Sequence, residues 1–249
     1  GGENDTVIGR FSLIAAGTGN NTNGDYHFIG AGTNNRIVSG TTSNIIGGNL
    51  NQITGNYNLI GAGIANSVGA EHSSIVGGRG NQVASVNSFI GGGDTNSIAA
   101  SSFNSVVGGG VRNSITNRFG VIGGGVANTI SGDSSAIVGG AGNRASNTLS
   151  FVGAGQFNVA SGAYSVVSGG LRDTASGPTA TVSGGERNVA TGQASTVGGG
   201  MANRSTSNNT TVAGGFANQA TGNSTTISGG FSNQATQQYG VVGGGSNNQ

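Results

Sequence analysis

Seventeen copies of one short marker run the length of this chain, and their spacing decides what it can fold into. Each marker is two small residues, two variable residues, then Asn or Asp. The markers end at Asp5, Asn20, Asn35, Asn51, Asn66, Asn81, Asn96, Asn113, Asn128, Asn143, Asn158, Asp173, Asn188, Asn203, Asn218, Asn233 and Asn248. Of the sixteen intervals, fourteen are 15 residues long; the others are 16 (35 to 51) and 17 (96 to 113). Six residues before each marker from Asn20 onward stands Ile or Val, from Ile14 to Val242. Three before is always Gly, from Gly17 to Gly245, and four before is Gly or Ala. Two after is usually Val, Ile or Ala, with Thr22 and Ser205 the polar exceptions. A β-branched column suits an inward strand position. An apolar period of 15 in so glycine-dense a chain fits no helical stripe.

The expected fold is therefore all-β, a parallel β-solenoid of about sixteen 15-residue coils over residues 1–249, each coil stacking on the last at about 4.8 Å. That rise predicts a rod of roughly 75–80 Å. One strand of each coil is Ser-x-Val-x, as at Ser165–Ser168; the other follows the marker, as at Asn188–Thr191. The Gly-Gly corner between them is tight and needs backbone angles that favour glycine. The opposite corner is looser and holds Pro178, where no ladder donor is lost. The two longer coils place their extra residues there, around Gly40–Thr42 and Ala99–Ser102, because an insertion inside a strand would flip its faces. Stacked Asn side chains at the marker form an amide ladder, each donating to one neighbouring coil and accepting from the other. Ligand or calcium binding by the same column is the alternative, but only two of the seventeen markers are Asp, and the nine-residue repeat of calcium-binding β-rolls is absent.

Composition removes whole function classes. Glycine supplies 53 of 249 residues with a single Pro, which excludes collagen. No Cys means no disulfide framework and no thiolate metal site, and is compatible with the outside of a cell. A net charge of +1 gives no field to hold nucleic acid or an anionic membrane. No apolar run reaches the length of a membrane span. The chain has no signal peptide and does not start with Met, which reads as a processed chain or a segment of a longer fibre.

A second apolar column carries the functional expectation. Neighbours of an inward strand residue point outward. Seven before the marker, where polar residues are due, stand Leu13, Phe28, Leu59, Phe89, Val106, Val121, Phe151 and Val166. Asn44, Ser74 and Ala136 interrupt the column, and Ile46, Val76 and Val138 compensate two residues later on the same face. These eleven coils present a bulky apolar stripe that a soluble monomer should not expose. Either another part of the coil covers it, or it is a lengthwise subunit interface; the interface is the expectation taken forward. Beyond Val166 the column becomes Thr181, Thr196, Thr211 and Thr226, a candidate face for ice or another ligand.

No catalytic, cofactor or metal constellation is expected. The eight carboxylates scatter over the phases of the coil, so no acid–base pair recurs. His27 and His72 lie three coils apart, about 14 Å at the stacking rise, too far to share a metal. Glycine strings such as Gly108-Gly109-Gly110 open no helix that could receive a phosphate. Of the nine Arg, Arg36, Arg79, Arg112, Arg144, Arg172, Arg187 and Arg204 flank markers, lining an edge with scattered charge or touching an anionic glycan.

The unit Ser-x-Val-x-Gly-Gly-x-x-Asn-x-Ala-x-Gly-x-x-Ser, seen over Ser165–Ala180 and more loosely over Ser195–Thr210, resembles the head repeats of YadA-type trimeric autotransporter adhesins. It is also similar to repeats of bacterial and phage tail-fibre-like proteins. The resemblance covers the whole chain. It implies a left-handed parallel β-roll, trimeric assembly and surface attachment at a cell surface or in a virion fibre. The coil here is 15 residues against the 14 typical of those heads, and these 249 residues contain no neck, helical stalk or membrane anchor. The expectation is an extracellular structural or adhesive fibre segment without catalysis. Its partners are further copies of itself, as a trimer or an end-to-end filament, and a host or prey surface or glycan. An ice-binding solenoid is the alternative.

Overall fold

The computed structural model describes residues 2–249. It is all-β, with no helix among the described residues, and every strand pair is parallel: the chain is a β-solenoid of about sixteen coils. Two compact units divide it, Gly1–Val126 and Ala127–Gln249. Within each unit two sheets of eight short strands are built by alternate strands of the chain, each strand pairing with the equivalent one a coil away. Register follows the markers, as in Gln82↔Ser97 and Val83↔Ile98 in one sheet of the first unit, and Thr181↔Thr196 and Val182↔Val197 in one sheet of the second.

The interior is thin. The Ile/Val column six before the marker is fully buried from Ile29 to Ile227, and the column two after the marker faces it, buried from Thr22 to Ala235. Marker asparagines Asn20 to Asn233, with Asp173 among them, are buried too. Their amides are satisfied chiefly by backbone. Nδ2 of Asn81 donates to the carbonyls of Gly77 and Gly93, both at 3.0 Å, and its Oδ1 accepts the Asn96 N–H at 3.0 Å. The expected amide-to-amide contact is present as a supplement, as from Asn96 Nδ2 to Asn81 Oδ1 at 3.1 Å. An asparagine marker such as Asn81 thus fastens three backbone groups in two coils, and a buried backbone group left unpaired is costly.

The Gly-Gly corner divides its two glycines. At Gly93 φ is 94°, and an added Cβ would fall on the Gly110 carbonyl oxygen and 2.7 Å from Asn96 Nδ2, so nothing larger fits. At Gly92 such a Cβ meets nothing closer than 3.9 Å, which is why Ala alternates with Gly four before the marker. The residue just before the marker adopts the left-handed conformation, as at Leu50 (φ 60°), Phe157 (φ 56°) and Arg187 (φ 56°). The two longer coils behave differently from each other. The 17-residue coil absorbs its insertion at Ala99–Ser102, where the Ser102 N–H donates to the Ala99 carbonyl at 3.0 Å. In the 16-residue coil the register shifts between Ile37 and Ser39, so the extra residue is a bulge at Val38, just before the expected turn at Gly40–Thr42.

A second interior rail was not anticipated. Eight before the marker stand Ser12, His27, Ser43, Asn58, Ser73, Ser88 and Ser105, and from His27 to Ser105 they are buried. In the first unit the side chain of one coil accepts the backbone N–H of the next: Ser73 to Asn58 Oδ1 at 2.9 Å, Ser88 to Ser73 Oγ at 3.1 Å, Gly120 to Ser105 Oγ at 3.0 Å.

Candidate functional site

Strand alternation places the eleven apolar residues on outward faces, and the coil leaves most of them open. In the first unit Leu13, Ile46, Leu59, Val76, Phe89, Val106 and Val121 are exposed, Leu13 by 54%, and Phe28 is half-buried. The residues seven before the marker stand in register, as Leu13↔Phe28 and Phe89↔Val106↔Val121, while Ile46 and Val76 lie two residues beyond the paired Asn44 and Ser74. In the second unit Val138 is exposed by 60%, while Phe151 and Val166 are half-buried and paired. No segment of the coil folds over Phe89, which is 38% exposed, so intrachain cover does not account for this face.

The threonine column is a second surface. Thr181, Thr196, Thr211 and Thr226 pair in unbroken register on one sheet of the second unit, each half-buried. Just past the strands of the other sheet of that unit, three after the marker, stand Ser131, Ser146, Ser161, Ser176, Thr191, Thr206, Thr221 and Thr236, a hydroxyl in every coil. That regularity is visible in the sequence once the column is read.

Corner aromatics add small exposed clusters that column analysis of the strands passes over. Phe11 and Tyr26 stack at 5.1 Å, Tyr57 and His72 at 4.9 Å, and Phe216 and Phe231 at 5.3 Å. The seven marker-flanking arginines are all exposed. Arg187 pairs with Glu186 at 3.0 Å, and the Arg172 guanidinium lies 6.0 Å from the Phe157 ring centre.

The two histidines are not brought together: His72 is on an exposed corner, and His27 is buried in the serine rail. Its Nδ1 accepts the Ser43 N–H at 3.2 Å. Burial lowers the imidazole pKa below 6.5; backbone groups of Asn23, Ser43 and Gly40 and the charge of Asp25 pull it upward to a lesser extent. Among the described residues no group of three or more His, Cys, Asp or Glu could hold a metal ion, and no helix is long and apolar enough to cross a membrane. No family model matches the sequence, and no curated protein is recognisably similar to it. The class that the fold itself defines is the parallel β-solenoid.

Proposed function

We propose that the chain is an extracellular structural or adhesive fibre segment, belonging to a cell surface or a virion fibre and performing no catalysis. The observation that carries this reading is the apolar face of the first unit, exposed along Leu13, Ile46, Leu59, Val76, Phe89, Val106 and Val121, with Phe89, Val106 and Val121 in direct register. A face of this kind calls for a covering surface, and the occupant we favour is another copy of the chain, as in a trimer or filament. The likeness to YadA-type repeats supports the same reading. The solenoid uses its polar side chains to fasten coil to coil, which suits a stiff spacer. Light scattering with negative-stain imaging of the purified chain tests it: an oligomer or filament is expected, and Phe89→Asp with Phe151→Asp should dissociate it while the β circular-dichroism signal persists. A monomer at high concentration overturns it.

A second reading, ice binding, draws on the four-rung register of Thr181, Thr196, Thr211 and Thr226. Thermal hysteresis that is lost on replacing Thr196 and Thr211 with Tyr would favour it over the fibre.

A further inference from the structure

The marker rail of the second unit contains an aspartate at Asp173, fully buried at 0% exposure. Half of this rung is intact. The Asp173 N–H donates to Asn158 Oδ1 at 2.9 Å, and Asp173 Oδ1 accepts the Asn188 N–H at 2.7 Å. The other half is not. In the next rung Asn188 Nδ2 donates to the carbonyls of Gly184 at 2.8 Å and Gly200 at 2.9 Å. At Asp173 the group in that place is Oδ2, which has no hydrogen-bond partner. It occupies the amide's position: a Cβ built on Gly170 would collide with Asp173 Oδ2, as one on Gly185 would with Asn188 Nδ2. By position the carbonyls that would receive the marker amide are those of Gly169 and Gly185, four before this marker and three before the next; Gly185 keeps its backbone donor, the Leu171 N–H at 2.9 Å, but lacks the amide. A carboxylate would face two carbonyl oxygens with acceptors only, in a site closed to water.

We propose that Asp173 is a proton-operated rung: as a neutral acid its Oδ2–H donates to the Gly169 or Gly185 carbonyl and closes the ladder, and as a carboxylate it opens that rung and loosens the stacking of its coils. No cation offsets the alternative. The arginines just before this marker and the next are engaged elsewhere, Arg187 with Glu186 and Arg172 over Phe157. Burial pushes the carboxyl above its ordinary 3.8; the backbone and side-chain hydrogen bonds from Asn188 act against this, and the Glu186 charge adds to the rise. The sign follows. The folded chain holds a proton that the unfolded chain releases above 3.8, so this contribution is full below 3.8 and is lost as pH rises through the folded-state value.

Asp173→Asn restores the column's usual residue and is expected to fold. Denaturant unfolding of the whole chain across pH, read as wild type against Asp173→Asn, cancels every other titrating group. From 3.8 upward to the folded-state value, the wild-type folding constant should fall relative to the variant by about tenfold per pH unit. Infrared difference spectra between the two proteins should show a protonated carboxyl band persisting above that pH. Asp173→Ala, which cannot close the rung in either state, should be weaker than Asp173→Asn at every pH. Parallel pH profiles for wild type and Asp173→Asn, or a carboxylate band already complete just above 3.8, would overturn the proposal.

Discussion

The two units use one repeat to build different interiors. In the first, the paired inward columns are bulky in almost every coil, as with Ile75 and Val83 or Ile90 and Ile98. In the second, the column after the marker shrinks to Ala145, Ala160, Ala175, Ala190, Ala220 and Ala235, facing mostly Val. The far corner changes with it. In the first unit it is stitched coil to coil by the serine rail. In the second it closes mainly on itself, by turns such as Ser165 N–H to the Gly162 carbonyl at 3.2 Å and Ala180 N–H to the Gly177 carbonyl at 3.1 Å. Gly162, Gly177 and Gly192 of those turns are buried, taking volume that isoleucine fills in the first unit. A thinner core thus goes with a tighter corner, and fewer rungs of the side-chain rail persist there, such as the Ser150 N–H donating to Ser135 Oγ at 3.1 Å. Outward faces divide the same way, apolar along the first unit and threonine-rich in the second.

The largest test of this contrast is truncation of the inward column. Ile75→Ala should cost about 3–4 kcal/mol, because a fully buried side chain is lost from a wall two residues thick. Val182→Ala should cost about 2 kcal/mol, with fewer methyls removed and a corner able to settle inward. Urea unfolding of both variants measures the difference; equal losses would erase the distinction between the two cores.

How much of this could be read from the sequence depends on whether a position tolerates alternatives. Gly93 and Asn96 were legible because clash and hydrogen bonding admit almost nothing else, so each coil repeats them. Inward Ile and Val were legible by strand alternation. The left-handed residue before each marker was not: Leu50, Ala65 and Arg112 all adopt that angle, and a conformation imposed by the stack leaves no residue signature. The serine rail was visible only as a strand-edge preference, since Ser, His, Asn, Ala and Gly share the column. For the outward faces, the sequence placed Phe89 and Thr196 correctly as outward, but a face does not name what covers it.

The rail supplies the next comparison. Ser73 Oγ donates to the Ser85 carbonyl at 2.7 Å and accepts the Ser88 N–H at 3.1 Å, so Ser73→Ala leaves two buried backbone groups without that partner. A loss of about 2–3 kcal/mol is expected. Ser195 occupies the same column in the second unit, yet its Oγ is buried without a partner, and Ala180 already stands there one coil earlier. Ser195→Ala should be neutral or stabilise by up to about 1 kcal/mol. Thermal melts of the pair check both signs; a costly Ser195→Ala would mean that the second unit depends on its rail after all.

Acid should separate the units further. His27 must stay neutral to accept the Ser43 N–H, and burial holds its pKa below 6.5. The unfolded chain therefore binds a proton that the folded chain refuses. Stability from this residue is complete above 6.5 and is lost as pH falls from there toward the folded-state value. Hydrogen exchange around Ile29 and Ile45 should quicken over that range in wild type but not in His27→Ser, which installs the column's usual residue. Exchange at Val182 and Val197 should not follow it, and the closing of the Asp173 rung predicts the opposite trend there at lower pH.

The smallest effect lies at the exposed turn two residues before the rail. Pro178 occupies it in one coil of the second unit, where the Ala180 N–H closes the turn and the Thr179 N–H still reaches the Ala163 carbonyl at 2.8 Å. Ala163 holds the equivalent place one coil earlier, and the flanking bonds are the same: Ser165 N–H to Gly162, and Tyr164 N–H to the Thr148 carbonyl at 2.9 Å. Ala163→Pro should therefore stabilise by about 0.5–1 kcal/mol, through restriction of the unfolded chain alone. In the first unit the corresponding Thr41 donates its N–H to Asn56 Oδ1 at 2.9 Å, another stitch between coils. Thr41→Pro removes that donor and should lower stability instead. Opposite signs for one substitution at equivalent positions would locate the difference in the corners themselves, because proline acts on the unfolded chain alike in both places. Equal signs would leave the contrast resting on core size alone.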